Sequence, residues 1–239
     1  MNVAVFVLVH GTGHGGWCWQ KVVPLLRAAG SNVYSQTLTG VGDRSHLFQL
    51  GVDLSTHITD VSSLLFYEDL ADVILVGHSY AGMVITGVAA TTPERLRQLI
   101  YLDAYLPDEG QSEVDLWPSD MRAVIEAGAQ AGDGRRPPPS PEMMGITDPA
   151  IADWVRERIT PHPMATYTQP VPKGNARSAA LPRAYISCTE GPLTSVFAPF
   201  GEKARAAGWV VREIATGHDA MLTAPDAVAK ILLELADAA

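Results

Sequence analysis

Residues 72–82 read Asp-Val-Ile-Leu-Val-Gly-His-Ser-Tyr-Ala-Gly and predict a buried strand that passes through a sharp turn into a helix. The consecutive aliphatic residues need cover on both faces, so this strand should lie centrally in a parallel sheet. Small residues flank Ser79, with Gly77 before it and Ala81 and Gly82 after it. They permit a turn tight enough to hold a serine hydroxyl exposed above the sheet. Ser79 is therefore the candidate nucleophile. The alternative interpretation is an ordinary glycine-rich turn.

The same alternation of short apolar runs and longer helix-period segments continues on both sides of this stretch. It predicts an α/β fold, with a mostly parallel central sheet and helices on both faces. Strands are expected at residues 3–9, 32–36, 72–77, 98–102, 183–188 and 209–214, and helices at 19–29, 56–70, 80–91, 197–207 and 224–238.

A change of composition divides the chain. Residues 107–181 are rich in proline, including the run at 137–139, and no sheet strand is legible among them. Short helical stretches are expected at 119–131 and 149–159. We therefore predict a core formed by residues 1–106 and 182–239. The inserted segment 107–181 would form a mainly helical cap at the sheet edge where such folds bind ligands.

Composition limits the classes of function. The chain has 239 residues, 47% of them hydrophobic, and a net charge of -9, which indicates a globular protein without affinity for nucleic acid. The longest apolar run, residues 3–9, is far shorter than the roughly 20 residues of a membrane span, and no basic leader precedes it. Cys18 and Cys188 are far apart and are expected to be buried and free. These features predict a cytoplasmic protein with no membrane partner.

A serine hydroxyl is a weak nucleophile, so a histidine base is expected downstream. His218 follows the last predicted strand and precedes the last helix, which suits this fold. Five other histidines occupy loop or helix-start positions, and His78 precedes the serine and should point away from it. The alternative interpretation of His218 is a surface residue that caps a helix.

Four motifs resemble those of the plant methylesterase and hydroxynitrile lyase family of α/β-hydrolases. They are Val7-Leu8-Val9-His10-Gly11 with His14-Gly15-Gly16-Trp17, residues 73–79, Tyr185-Ile186 with Cys188-Thr189-Glu190, and Gly217-His218 with Met221-Leu222. The resemblance covers nearly the whole chain and implies an α/β-hydrolase fold that needs no cofactor. It also implies a homodimer through the cap and an oxyanion hole formed by the backbone N–H groups of Thr12 and Tyr80. Alternatively, residues 11–16 are only a tight turn.

The acid of the predicted triad departs from this family. Relatives that look like this chain have an aspartate directly after Cys-Thr-Glu, where this chain has Gly191. Glu190 comes one residue earlier and should point away from the site. Asp103 ends the strand expected beside the nucleophile strand, and a buried carboxylate needs a partner, so it is the favoured acid. Several haloalkane dehalogenases, which share this fold, resemble the chain in carrying their triad acid after this strand, four residues before a proline. Asp103 is likewise four residues before Pro107. Glu190, Asp108 and Asp219 are the alternatives, and Asp103 could instead cap a turn.

The residues near the triad favour hydrolysis over cyanide release. The similar lyases have a threonine after the first-strand histidine and a lysine after the catalytic one, where this chain has Gly11 and Asp219. An anionic neighbour would repel cyanide. We therefore predict a carboxylesterase-type serine hydrolase that cleaves esters of small to medium apolar substrates through an acyl-enzyme. The alternatives are a hydroxynitrile lyase, a carbon–carbon bond hydrolase on the same triad, or a non-catalytic protein that binds small molecules.

Other ligands find less support in the sequence. His10 and His14 lie on a glycine loop without a third ligand, so no metal is expected. The Gly11-x-Gly13-x-x-Gly16 spacing alone does not predict a dinucleotide site, because the acidic residue that should follow is missing. The substrate pocket is expected to include Trp17, Tyr105, Trp117, Met121 and Trp154, although each could instead pack the cap onto the sheet.

Overall fold

A six-stranded parallel sheet forms the centre of the fold in the computed structural model, which describes residues 3–119, 121–123 and 133–238. The spatial order of its strands is β2-β1-β3-β4-β7-β8. These strands span Val5–Val9 (β1), Asn32–Tyr34 (β2), Val73–His78 (β3), Leu96–Leu102 (β4), Arg183–Cys188 (β7) and Val210–Ile214 (β8). All six residues of β3 are buried, as expected for a central strand.

Helices cover both faces of the sheet. Their bounds are Val22–Ala28 (α1), Leu54–Tyr67 (α2), Ala81–Thr91 (α3), Pro149–Arg156 (α4), Ala165–Thr168 (α5), Ala176–Ala179 (α6), Thr194–Ala206 (α7), Ala220–Thr223 (α8) and Pro225–Asp237 (α9). Alternate residues of the central strands face opposite layers. Val73 and Leu75 belong to the cluster with α2, α3 and α7, whereas Ile74 and Val76 belong to the cluster with α1 and α9. This two-sided burial explains the unbroken apolar run.

The predicted α/β-hydrolase architecture is confirmed, and the strand at 183–188 has its predicted bounds. The first helix differs, because it begins at Val22 and a separate 3-10 turn spans Gly16–Trp19. Pro24 explains the later start. Within the first turn its missing N–H costs nothing, whereas a helix beginning at residue 19 would place it in the interior.

The segment 107–181 adds no described residue to the six-stranded sheet. Its two-residue strands Arg135–Arg136 (β5) and His162–Pro163 (β6) pair antiparallel, which the sequence did not predict. Helix α4 lies within the predicted range 149–159, and the predicted helix at 119–131 lies mostly outside the described residues.

Across the ranges that the structure describes, no helix is both long enough and apolar enough to cross a membrane.

Candidate active site

Ser79 lies on the turn between β3 and α3. Its φ angle is +57°, in the left-handed region that residues with a side chain rarely adopt. A Cβ atom at Gly77 would come within 2.8 Å of the Ala81 carbonyl oxygen, so the turn is tight enough to require glycine there. The strained serine turn expected from the sequence is therefore present in the backbone.

Gly82 is needed for a different contact. The position two residues after Ser79 is Ala81, and the turn accommodates its methyl group. At Gly82 a Cβ atom would lie only 1.9 Å from the Tyr105 carbonyl oxygen. The same loop donates the Tyr105 N–H to the Ser79 carbonyl oxygen at 3.1 Å. The close approach thus fixes the loop after β4 against the serine turn.

Asp103 follows β4 at the same sheet edge. In the pairing of β3 with β4, His78 lies beside Leu102, so Ser79 and Asp103 are the next residues on two neighbouring strands. Asp103 is 2% exposed, and its Oδ1 accepts a hydrogen bond from the Cys188 N–H at 3.1 Å. The register thus brings a buried, partly satisfied carboxylate next to the serine turn.

His218 lies between β8 and α8 and reaches the same edge. Its Nδ1–H donates to Asp103 Oδ2 at 2.7 Å, and both side chains are buried. This bond fixes the ring orientation and leaves Nε2 as the nitrogen that can accept a proton. The ring also stacks on Phe197, with 4.4 Å between centroids and 20° between planes. Sequence reasoning missed Phe197, which sits on α7 without any local motif.

The candidate nucleophile and the candidate base line one cavity. Ser79 and His218 both line it, and so does Arg136. Its remaining wall consists of Thr12, His14, His78, Tyr105, Met121, Pro139, Met143, Met144, Leu193, Val196 and Phe197. A separate cavity of about 330 Å³ lies elsewhere and is lined by none of Ser79, His218 and Asp103.

Two of the five predicted pocket residues, Tyr105 and Met121, line this cavity. Trp17, Trp117 and Trp154 do not. The rings of Trp17 and Trp154 pack edge to face with 5.1 Å between centroids, and Trp117 is buried and donates its indole N–H to the carboxyl group of Glu113. These three rings pack against other side chains outside the wall of this cavity.

The alternative acid, Glu190, is exposed, and its backbone N–H donates to the Thr216 carbonyl oxygen. Gly191 occupies the position of the family aspartate with a φ angle of +89°. A Cβ atom at Gly191 would lie 3.4 Å from the Gly145 Cα. An aspartate would therefore be strained at this position, whereas Asp103 already contacts the histidine ring.

The expected oxyanion-hole residues lie at the ends of two strands. Thr12 lines the cavity, and its Oγ1 accepts a hydrogen bond from the Tyr167 hydroxyl at 3.0 Å. The buried Tyr80 hydroxyl donates to His57 Nδ1 at 2.8 Å, so the Tyr80 side chain is engaged away from the serine turn. Within the part of the chain that the structure describes, the N–H groups of Thr12 and Tyr80 donate to no protein atom. Both remain available to an oxyanion.

A second buried histidine–carboxylate pair adjoins the site, and sequence reasoning missed it. His14 donates Nδ1–H to the Thr12 carbonyl oxygen at 2.8 Å and Nε2–H to Asp219 Oδ2 at 3.0 Å. Burial opposes the charge of each partner, but their mutual attraction and hydrogen bond outweigh it, raising the pKa of His14 and lowering the pKa of Asp219. The pair is therefore an ion pair that connects the loop after β1 to the loop carrying His218.

This ion pair revises one argument made from the sequence. The carboxylate of Asp219 was expected to repel a departing cyanide, but His14 balances its charge at 3.0 Å. The repulsion is therefore weaker than expected. What still separates this chain from the lyases at that position is the missing lysine.

Asp219→Asn is expected to lower the free energy of unfolding by about 3–5 kcal/mol, because it leaves His14 buried without a counterion. The raised pKa of His14 gives stabilisation that is full below about pH 6.5 and is lost as the pH rises through the folded pKa. The lowered pKa of Asp219 gives stabilisation that is present above about pH 4 and is lost as the pH falls. The loss should therefore be largest between these limits.

Urea unfolding of this variant across pH 4–9 measures that loss, with Asp237→Asn on the exposed end of α9 as the matched control. Identical pH profiles for the two variants would show that the ion pair does not stabilise the fold.

Three of these groups also lie close enough to reach one metal ion. One ligand atom each from His78, His218 and Asp219 falls within 4.8 Å of the others. Each residue makes a hydrogen bond through one atom, since His218 Nδ1–H donates to Asp103, Asp219 Oδ2 accepts from His14, and His78 Nε2–H donates to the His218 carbonyl oxygen at 3.0 Å. Their second atoms are not all engaged, because His78 Nδ1 and Asp219 Oδ1 are buried without a hydrogen-bond partner among the described residues. Burial lowers the pKa of His78 well below its usual value, which keeps its ring neutral.

A parallel sheet with a strained serine turn after its central strand and a histidine–aspartate pair at the same edge defines the class of α/β hydrolases. A family model described as "Alpha/beta hydrolase family" matches residues 6–231. The chain belongs to this family.

Two relatives that match nearly the whole chain are named as esterases. The chain is 40% identical over 244 residues to a carbendazim hydrolyzing esterase from Nocardioides sp. (strain SG-4G), covering 98% of this chain and all of that protein. It is 27% identical to a polyneuridine aldehyde esterase from Rauvolfia serpentina, with 97% of this chain and 95% of that protein covered. The predicted membership of this esterase branch and the predicted hydrolase class are confirmed.

Solved structures show the same fold. A methylesterase from Arabidopsis superimposes with a TM-score of 0.79 at 24% identity, covering 99% of this chain and all of that one. An extracellular α/β-hydrolase from a Paenibacillus species gives a TM-score of 0.81 at 23% identity, with 97% of this chain and 98% of that one covered.

Proposed function

We propose that this chain is a carboxylesterase that acts through an acyl-enzyme, with Ser79 as nucleophile, His218 as base and Asp103 as the acid behind the base. The observation that carries this proposal is the 2.7 Å hydrogen bond from His218 Nδ1 to Asp103 Oδ2, made by a histidine that lines the same cavity as Ser79. The esterase names of the relatives support the reaction class.

In the first half-reaction Ser79 Oγ attacks the ester carbonyl carbon while His218 Nε2 takes the hydroxyl proton. Asp103 stabilises the imidazolium that results and holds its tautomer. The N–H groups of Thr12 and Tyr80 stabilise the negative charge on the carbonyl oxygen. The tetrahedral intermediate collapses as His218 gives its proton to the leaving alkoxide, which releases the alcohol and leaves an acyl group on Ser79.

The second half-reaction repeats these roles with water. His218 Nε2 takes a proton from a water molecule, whose oxygen attacks the acyl carbon held by Ser79. Collapse of the second intermediate returns the proton to Ser79 Oγ. A carboxylic acid leaves, and the enzyme returns to its starting state.

The substrates we propose are esters of small to medium size with apolar parts. Methionine and phenylalanine side chains in the cavity wall, Met121, Met143, Met144 and Phe197, support contacts with apolar groups.

Further proposals concern the whole molecule. We propose that residues 107–181 are a cap on a core of residues 1–106 and 182–239, and that two copies associate through this cap. The protein would work in the cytoplasm without nucleic-acid or membrane partners. The buried, unpaired thiols of Cys18 and Cys188 support a reducing compartment.

Fluorophosphonate labelling followed by peptide mass spectrometry tests the nucleophile. We expect a single adduct on the peptide that contains Ser79, formed only by folded protein and suppressed by an excess of hydrolysable ester. A panel of p-nitrophenyl esters with varied acyl chains then tests the reaction. An adduct on another residue, or labelling without hydrolysis of any ester, would contradict the proposal.

A further inference from the structure

We infer that Arg136 forms an anion subsite in the candidate active-site cavity, and that preferred substrates are esters whose acyl part carries a carboxylate away from the scissile bond. This inference rests on the proposed function, because the subsite matters only if Ser79 attacks an ester in this cavity. Arg136 lines the cavity together with Ser79 and His218.

Two aromatic rings support the guanidinium of Arg136. Its Cζ lies 5.5 Å from the ring centroids of both Trp117 and Tyr167. Hydrogen bonds fix these rings in turn, since Trp117 Nε1–H donates to Glu113 Oε1 at 3.0 Å and the Tyr167 hydroxyl donates to Thr12 Oγ1 at 3.0 Å. A planar guanidinium held in this way is suited to bidentate binding of a carboxylate.

The charge of Arg136 has no ion-pair partner within the described ranges, in contrast to its neighbour Arg135, which pairs with Asp133. The buried carboxyl group of Glu113 does not supply the missing charge. Burial raises the pKa of Glu113 to about 8 even though Arg136 opposes the shift, so Glu113 is mostly uncharged at neutral pH. Arg136 therefore keeps its positive charge towards the cavity.

The other residues of the cavity wall do not neutralise the charge of Arg136. The cavity wall also includes the apolar side chains of Met121 and Met143. The other cationic group in the wall, His14, is already balanced by Asp219 at 3.0 Å. A cation facing an apolar cavity is costly to desolvate unless a ligand brings the opposite charge. An anionic substrate group meets this requirement, whereas a neutral group of the same shape does not.

Paired substrates measure the preference. Each monomethyl ester of a straight-chain dicarboxylic acid, from succinate to adipate, is compared with the methyl ester in which a methyl group replaces the free carboxylate. For the wild type we expect kcat/KM to favour the anionic ester by about 10- to 100-fold at the best chain length, as for one charge-assisted hydrogen-bond pair. The preference should appear mainly in KM, because the carboxylate is bound throughout the reaction.

Three variants identify the source of the preference. Arg136→Gln should bring the ratio close to one, and Arg136→Lys should retain part of it, because a lysine keeps the charge but not the fork geometry. Arg135→Gln is the matched control and should keep the wild-type ratio. Thermal unfolding of each variant checks that it is folded. A wild-type protein that hydrolyses both members of every pair equally, or a preference that persists in Arg136→Gln, would overturn the inference.

A binding measurement separates this inference from the proposed function. Calorimetry with the Ser79→Ala protein should show binding of monomethyl glutarate that is at least tenfold tighter than binding of methyl pentanoate, and adding Arg136→Gln should abolish the difference. If this difference is found but no ester is hydrolysed, the subsite stands and the proposed reaction fails. If esters are hydrolysed but neither substrate pairs nor calorimetry show a preference, the reaction stands and the subsite fails.

Discussion

Ser79→Ala is expected to lower kcat for ester hydrolysis by about a millionfold, the loss typical of serine hydrolases deprived of their nucleophile. Without the hydroxyl no acyl-enzyme can form, so the reaction loses its covalent pathway. The proposed oxyanion hole of the Thr12 and Tyr80 N–H groups is unchanged in this variant, so we expect a residual rate about a thousandfold or more above the uncatalysed reaction.

The fold should tolerate this change, because alanine is smaller than serine and meets a similar backbone strain at a φ angle of +57°. The matched control is Ser195→Ala, on the exposed side of α7, which should keep the wild-type kcat. Purified protein is needed at high concentration, so that contamination by wild type does not mask the loss. A kcat within tenfold of the wild type would exclude Ser79 as nucleophile.

Asp103→Asn is expected to lower kcat by about ten-thousandfold while the fold remains intact. An asparagine amide can donate to His218 Nδ1, which favours the tautomer with the proton on Nε2. That tautomer cannot take the proton of Ser79. The variant also removes the negative charge that stabilises the imidazolium.

Glu190→Gln is the informative control, because Glu190 is the acidic residue nearest to position 191, where the similar relatives have their aspartate. Its exposed side chain predicts an unchanged kcat. Steady-state kinetics of both variants on one p-nitrophenyl ester give the comparison. If Asp103→Asn kept its activity and Glu190→Gln lost it, the acid would have to be reassigned.

Most of the sheet could be predicted from the sequence because its central strands are buried on both faces. The strands Val73–His78 and Arg183–Cys188 have apolar centres at residues 73–76 and 184–186, so their bounds follow closely from the pattern. Asp103 could also be predicted from the sequence, since a carboxylate directly after a buried apolar strand must find a partner at the same sheet edge.

The rest depends on contacts between distant parts of the chain. His14 and Asp219 are separated by 205 positions, and neither shows locally that the other will neutralise it. Arg136 lies in a proline-rich segment without periodicity, so nothing in its surroundings predicts that it reaches the cavity. The sequence also could not show that Trp17, Trp117 and Trp154 lie outside this cavity wall, because aromatic residues that line a pocket and those that pack behind it follow the same sequence patterns.

The position of Asp103 directly after β4 has a consequence for how the pocket can diversify. The loop after β7 carries no member of the proposed triad, yet Leu193 within it lines the cavity. Evolution or directed mutagenesis can therefore vary this loop to suit new substrates, while the proposed triad stays on the loops after β3, β4 and β8. In a chain with the acid on that loop, each such change would also disturb the catalytic histidine.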